Sequence, residues 1–183
     1  MSTTQSFQSP HARSRYPYQQ ATSVRSSQPV HLRDSIDPRR RLEYEATIAS
    51  CDQAIARQPD DVNAWYERGQ AQADLGFYVE AIASFNKALV LDPQHTAALV
   101  FRAVAFIHLN CYEEALLSCN TALTIQPHHS EAWLFRGVAL RSLNRYQEAY
   151  ASYDNALGIR RPSLWQNIIS KILGCFASWH RKH

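Results

Sequence analysis

The sequence predicts an all-α fold built from stacked pairs of helices, and three observations support this prediction. The 183-residue chain repeats itself at a spacing of 34 residues, and internal repeats of this length are typical of solenoids. Apolar residues within each repeat recur three and four residues apart, which is the spacing of one helical face. Only five glycines occur, too few for Gly-rich phosphate loops or many tight β-turns.

The 34-residue period is visible in several kinds of residue at once. The matching triplets are Tyr78, Tyr112 and Tyr146; Glu80, Glu114 and Glu148; Ala81, Ala115 and Ala149; Ala88, Ala122 and Ala156; and Arg68, Arg102 and Arg136. Pro93 and Pro127 lie one period apart, and Trp65 and Trp133 lie two periods apart. Because so many residues coincide at one spacing, the repeat determines the fold class.

The repeat predicts three helix pairs and one additional N-terminal helix. The predicted helices are 38–57, 62–75, 78–91, 96–109, 112–125, 130–143 and 146–159. The first of them matches only the second half of a repeat. Residues 28–41 contain Pro29, Pro38 and three consecutive arginines, so they do not predict a partner helix. We expect Asp61, Thr96 and Ser130 to cap the helices that begin beside them.

These helices divide the chain into six predicted segments. The segments are a disordered Ser-, Gln- and Arg-rich tail at 1–36, an N-terminal half-repeat at 38–61, full repeats at 62–95, 96–129 and 130–162, and a C-terminal amphipathic capping helix at 163–183. Pro93 and Pro127 end the second helix of a pair and introduce the next turn.

The repeated residues resemble the tetratricopeptide repeat (TPR) family, whose 34-residue pattern is W-x-x-L-G-x-x-Y, then A-x-x-x-F, then P. The matching residues are Trp65, Gly69, Ala81, Phe85 and Pro93; Leu99, Ala103, Phe106, Ala115, Cys119 and Pro127; and Trp133, Gly137, Ala149, Tyr153 and Pro162. The resemblance covers residues 38–162 and implies a right-handed α-solenoid with a concave face. The chain departs from the pattern where Arg68, Arg102 and Arg136 replace leucine, a variant that looks like many bacterial TPR sequences.

In the TPR family the first helix of each pair lines the concave face, and the register places twelve residues of this chain there. They are Asn63, Tyr66, Gln70 and Asp74; Val100, Val104, Ile107 and His108; and Glu131, Leu134, Val138 and Arg141. We expect Val100, Val104 and Ile107 to be free of any core role, so the groove is polar at one end and aliphatic in the middle. Such a wall suits an apolar peptide or helix of a partner protein. The alternative is that the N-terminal tail or the C-terminal segment packs there.

The resemblance also argues against one class of partner. Chaperone-binding TPR domains hold a C-terminal carboxylate with a clamp of Lys, Asn, Asn, Lys and Arg. At those positions this chain has Tyr66, Gln70, Phe101, Glu131 and Phe135. Because none of them is a cation, we predict no binding of that kind.

No residue set in the sequence predicts catalysis, a metal or a cofactor. A nucleophile needs a base and an orienting group, and no such set is visible. Cys51 and Cys119 fall on core positions, and Cys111 begins a helix, where a lowered pKa is the less favoured alternative. His128 and His129 are adjacent in a turn and do not predict a zinc site. The chain is therefore expected to be a protein-binding adaptor and not an enzyme.

Charge is distributed unevenly along the chain. Residues 1–41 hold seven basic and two acidic residues, 42–159 hold seven basic and fourteen acidic residues, and 160–183 hold five basic residues and no acid. The acidic body argues against nucleic-acid binding, since it would repel phosphate. Four cysteines without a C-x-x-C motif or an export signal favour a reducing, cytoplasmic location. For the acid-free N-terminal stretch a transit peptide is the alternative to a disordered tail.

Residues 163–180 form one further amphipathic stretch with basic flanks. Its apolar residues are Leu164, Trp165, Ile168, Ile169, Ile172, Leu173, Phe176 and Trp179, and its flanks are Arg160, Arg161, Arg181 and Lys182. The favoured interpretation is a cap over the open end of the solenoid. The alternative is an interfacial helix that docks on a partner or anchors the chain as a peripheral membrane assembly factor.

Overall fold

A computed structural model of the chain describes residues 36–159, and this part contains seven α-helices and no strand. The helices are α1 (Pro38–Arg57), α2 (Val62–Asp74), α3 (Tyr78–Leu91), α4 (Thr96–His108), α5 (Tyr112–Ile125), α6 (Ser130–Ser142) and α7 (Tyr146–Ala156). The all-α prediction is confirmed. The predicted tail, apart from Ile36, and the predicted helix at 163–183 lie outside the described residues.

The observed helix ends differ from the predicted ends by at most one residue, except at α7. This helix ends at Ala156, three residues early, because Gly158 adopts a left-handed φ of 67°. The Ile159 amide then donates to the Asp154 carbonyl at 2.8 Å, and the Gly158 amide donates to the Asn155 carbonyl at 3.2 Å. These two hydrogen bonds satisfy carbonyl groups in the last turn of the helix and so terminate it.

The predicted caps of α4 and α6 are wrong, although the predicted cap of α2 is confirmed. The Asp61 side chain accepts the backbone amide three residues further on at 3.1 Å. In α4 and α6 the same bond is accepted by Nδ1 of His95 at 3.1 Å and of His129 at 3.3 Å. Thr96 and Ser130 instead occupy the first helical position. A neutral imidazole nitrogen is an acceptor, so histidine replaces the usual oxygen.

The helices stack so that α2, α4 and α6 form one wall, which we call the inner wall. Helix α4 approaches both α2 and α6, whereas α1, α3, α5 and α7 do not approach one another anywhere in 36–159. Because the first helices of the pairs are closer together than the second helices, the stack curves toward the inner wall. This arrangement is that of a solenoid.

Glycine allows close packing between the two helices of the first pair. An ideal Cβ atom on Gly69 would lie 2.6 Å from the Phe85 ring, and that ring is fully buried. In the second pair Ala103 stands at the glycine position, and the aromatic position holds the smaller Cys119. Both of these residues are fully buried. The sizes of the two facing residues therefore compensate from one repeat to the next.

The arginines that replace the family's leucine join neighbouring repeats through hydrogen bonds. Arg102 donates through Nη1 to Asn86 Oδ1 on α3 at 2.8 Å and through Nε to Ser118 Oγ on α5 at 3.2 Å. Arg68 and Arg136 likewise donate side-chain hydrogen bonds to the residues 16 positions before and after them. The partners are Asp52 (2.7 Å) and Ser84 (2.9 Å) for Arg68, and Asn120 (2.8 Å) and Ser152 (2.6 Å) for Arg136. We call these three residues and their partners the arginine ladder.

Each arginine of the ladder connects three helices. It lies on the first helix of a pair, and it donates hydrogen bonds to the second helix of its own pair and to the second helix of the preceding pair. The Arg68 and Arg136 guanidinium groups also lie 5.7 Å and 5.4 Å from the ring centroids of Trp65 and Trp133, within range for a cation–π interaction. Substituting arginine for leucine therefore replaces an apolar contact with a polar bond network between repeats.

Candidate partner-binding groove

The structure places all twelve predicted groove residues on α2, α4 and α6, but their exposure differs. Six are exposed: Asn63, Asp74, His108, Glu131, Leu134 and Arg141. Five are half-buried: Tyr66, Gln70, Val104, Ile107 and Val138. One is buried, Val100.

The expectation that Val100 has no core role is wrong. Its side chain is 1% exposed and packs in one apolar cluster with Leu123 and Ala132. The position lies between successive first helices, so the close approach of α4 to α6 covers it. With Val104 and Ile107 half-buried, the aliphatic part of the inner wall is narrower than the sequence suggested.

Two rows of side chains run along the inner wall. The half-buried row, which we call the floor row, consists of Gln70, Val104 and Val138. The exposed side chains that we call the rim row are Asp74, His108 and Arg141, three or four residues further along the same helices. Arg141 lies one residue before Ser142, which holds the register position of Asp74 and His108. Each of the three helices therefore presents one exposed polar side chain beside the floor row, although Leu134 is an exposed apolar residue of the same wall.

An aromatic stack at the rim joins α4 to α3. The His108 ring lies parallel to the Tyr78 ring at a centroid distance of 4.3 Å and an interplanar angle of 2°. Burial lowers the pKa of His108, which favours the neutral imidazole. Burial also raises the pKa of Asp74, and Arg40 opposes this shift.

Sequence reasoning missed Tyr78 as a groove residue, because its register position belongs to the second helix of a pair. The sequence carried no signal for this pair, because the 30-residue spacing from Tyr78 to His108 does not recur with an aromatic pair. At the same spacing after Tyr112 the chain has Ser142, which offers no ring. The stack becomes visible only when the structure places the start of α3 beside the end of α4.

The five positions that correspond by register to the family's carboxylate clamp hold three aromatic residues, one amide and one acid: Tyr66, Phe101 and Phe135, Gln70, and Glu131. The Tyr66 ring lies 4.8 Å from the His95 ring and 5.9 Å from the Phe101 ring, measured between centroids. Burial raises the pKa of Tyr66, and the Glu131 carboxylate raises it further. The Glu131 carboxylate therefore makes the potential at the Tyr66 hydroxyl more negative.

Burial raises the thiol pKa of each of the three cysteines that the structure describes. Cys51 and Cys119 are buried, as predicted, and burial raises the pKa of Cys119 to about 12. Burial, followed by Glu114 and Glu113, raises the pKa of Cys111, so the alternative of a lowered pKa at that helix start is wrong. Cys175 lies outside the described residues.

The part of the chain that the structure describes holds neither a metal site nor a membrane-spanning helix. Within 36–159 no group of three or more His, Cys, Asp or Glu side chains is arranged to hold a metal ion. No helix among the same residues is long and apolar enough to cross a membrane.

Several solved structures are similar to this chain. The crystal structure of MamA superimposes with a TM-score of 0.62 at 19% sequence identity, covering 68% of this chain and 75% of MamA. The TPR domain of Arabidopsis OM64 has a TM-score of 0.53 at 28% identity, covering 63% of this chain and 95% of that domain. The second TPR of Spaghetti (RPAP3), bound to the HSP90 peptide SRMEEVD, has a TM-score of 0.53 at 25% identity, covering 57% and 98% respectively.

The family assignment rests on the sequence as well as on the fold. No curated protein matches the chain. A family model described as tetratricopeptide repeat matches residues 39–96, 74–130 and 126–163, which together make up more than half of the chain. The protein therefore belongs to the tetratricopeptide repeat family.

Proposed function

We propose that this protein is a non-catalytic adaptor that binds a peptide or helix of a partner protein along its inner wall. The observation that carries the proposal is the pair of parallel rows on α2, α4 and α6. The rim row is exposed, and the half-buried floor row offers aliphatic contact at Val104 and Val138. Apolar anchors flanked by polar contacts are how grooves of this kind hold a peptide or helix.

The charge order of the rim row suggests how a partner is oriented. The row runs from Asp74 through His108, whose pKa is lowered by burial, to Arg141. A partner segment with a basic residue at one end and an acidic residue at the other complements this order. Such complementarity fixes the register of binding more than it adds affinity.

Substituting Val104 with glutamate is expected to weaken partner binding at least about tenfold, because it places a charge in the floor row. Leu117 on α5 is an exposed leucine away from the inner wall, so Leu117→Glu is the matched control. The measurement is a quantitative pull-down from the native source with wild type and both variants. Circular dichroism confirms that each variant is folded.

A second groove variant distinguishes loss of binding from misfolding of Val104→Glu. Asp74 is exposed, so Asp74→Arg changes the charge of the rim row with little effect on packing. We expect it to release the same proteins that Val104→Glu releases. If both groove variants retain every protein that wild type retains, the inner wall is not the binding surface.

An acidic peptide with a free C-terminal carboxylate, such as SRMEEVD, is expected not to bind in the micromolar range. The clamp positions present Tyr66, Phe101 and Glu131, and a carboxylate near Glu131 is repelled. Isothermal titration calorimetry measures this directly. The second TPR of RPAP3, which was solved with this peptide, serves as the positive control. Micromolar affinity for the chain studied here would overturn the prediction.

A further inference from the structure

The three helices of the inner wall are capped at the same register position by two different kinds of acceptor. Asp61, His95 and His129 lie 34 residues apart, and each precedes the first residue of its helix. An oxygen of the Asp61 carboxylate accepts the backbone amide three residues further on. Nδ1 of His95 and of His129 accepts the same bond in the next two repeats. One cap of the inner wall is therefore a carboxylate, and two are imidazoles.

These two kinds of cap respond to protons at different pH. A carboxylate stays ionised, and stays an acceptor, down to about pH 4, whereas an ordinary histidine takes up a proton at about pH 6.5. The imidazolium ion carries a hydrogen on both ring nitrogens and has no acceptor left. A positive ring is also unfavourable at a helix N-terminus, where the backbone amides carry partial positive charge. Only the neutral ring can therefore act as a cap.

The groups that surround His95 do not replace the lost acceptor. Its ring lies 4.8 Å from the Tyr66 ring of α2, measured between centroids. The charged residues in the last turns of α3 and the turn after it are Lys87 and Asp92. From α6, the Glu131 carboxylate acts on the Tyr66 hydroxyl. The aromatic ring and the carboxylate attract an imidazolium ion, but Glu131 is exposed, so solvent screens its charge.

The surroundings of His129 are simpler on the side of α4. Val100 stands there at the register position of Tyr66, and it is buried and apolar. Helix α5 has no titratable side chain after Cys119. The titratable residues of the turn, of α6 and of the last turns of α7 at this end are His128, Glu131, Tyr153 and Asp154. Protonation of His129 therefore removes the cap of α6 without creating a new acceptor for its amide.

We propose that His95 and His129 form a pH-sensitive device in the inner wall. At neutral pH both rings are neutral and cap α4 and α6. Acidification to about pH 5.5 favours the protonated rings, so the first turns of these two helices open while Asp61 still caps α2. The device does not depend on partner binding, although the turn that opens in α6 contains Glu131 of the candidate groove.

The sign of the effect on stability follows from the number of protons bound. In the unfolded chain both histidines take up protons freely below about pH 6.5. In the folded chain each of them loses a hydrogen bond when it does so. The unfolded state therefore binds more protons in this range, and the free energy of unfolding falls as the pH falls.

Urea unfolding of wild type and of the double variant His95→Asn, His129→Asn, at about pH 7.5 and about pH 5.5, tests the proposal. The amide oxygen of asparagine caps a helix and does not titrate. Each cap is worth about fivefold in the unfolding equilibrium constant. On acidification this constant should therefore rise at least about tenfold more in wild type than in the double variant. His108, whose pKa is lowered by burial, is present in both proteins, so its contribution cancels.

Two further variants separate the caps from histidine content. His128 is an exposed histidine in the turn before α6, so His128→Asn should keep the pH dependence of wild type. Asp61→His places an imidazole at the third cap and should increase the dependence several-fold. Equal pH dependence of wild type and the double asparagine variant would overturn the proposal.

Nitrogen-15 NMR of the imidazole rings in wild type tests the same caps without any substitution. At about pH 7.5 the rings of His95 and His129 should carry their hydrogen on Nε2, because Nδ1 accepts the amide bond. A hydrogen on Nδ1 of both rings would mean that neither ring is a cap, and the device would not exist. This measurement decides the question even if the double variant does not fold.

Discussion

Replacing Arg102 with methionine is expected to lower the free energy of unfolding by about 2 kcal/mol, since two side-chain acceptors lose their charged donor. Arg102 bonds Asn86 on α3 and Ser118 on α5, so the loss falls on the interface between two repeats. In a solenoid, stability is the sum of repeat and interface contributions. We therefore expect the variant to unfold less cooperatively as well as at lower denaturant concentration.

Urea denaturation followed by circular dichroism measures both quantities. Arg141→Met is the matched control, because Arg141 is exposed on the same wall of helices, and its unfolding free energy should change by less than about 0.5 kcal/mol. Arg102→Lys should recover less than half of the loss, because an ammonium group does not present the planar fork of a guanidinium. Equal stability of Arg102→Met and wild type would mean that the ladder does not hold the repeats together.

Replacing Gly69 with alanine is expected to destabilise the protein by about 2 kcal/mol, although alanine is the better helix former. Helix propensity alone favours the change by about 1 kcal/mol. Overpacking costs about 3 kcal/mol, because the new methyl carbon would lie 2.6 Å from the buried Phe85 ring. The steric cost therefore exceeds the gain in propensity.

Two comparisons test this explanation. Gly137 faces Tyr153 in the same way, but that ring is half-buried and has room to move, so Gly137→Ala should cost less. In a Phe85→Leu background, Gly69→Ala should cost at least about 1 kcal/mol less than in wild type. Thermal and urea unfolding of the four proteins of this cycle give the coupling energy. If Gly69→Ala is equally costly in both backgrounds, contact with Phe85 is not its cause.

The helices and their order could be predicted closely because they depend on information repeated within the chain. Three copies of Tyr, Glu, Ala and Arg at one spacing located each pair, and prolines marked the ends of α3 and α5. The end of α7 was misplaced because the repeat was extended over Gly158, whose left-handed φ stops the helix locally. At this position the local conformation of one glycine, and not the repeat pattern, determined where the helix ends.

The candidate groove was only partly predictable. The repeat register assigned all twelve residues to the correct helices. It could not predict that Val100 is buried whereas Val104 is half-buried. The predicted caps Thr96 and Ser130 were wrong because residue type alone favours a hydroxyl, whereas the structure places Nδ1 of His95 and of His129 at the amide. The stack of His108 on Tyr78 joins two repeats and has no signature in either one.

The sequence by itself determined the helix content, the pairing of helices and the family, because periodicity and helix propensity are properties of nearby residues repeated at a fixed spacing. Only the tertiary structure decided which inner-wall residues are exposed, and that the three arginines are donors between repeats. It also decided that Leu134 and Leu157 remain uncovered among the described residues. Burial and hydrogen bonding depend on which helix lies against a side chain, and for these residues that helix is many positions away in the sequence.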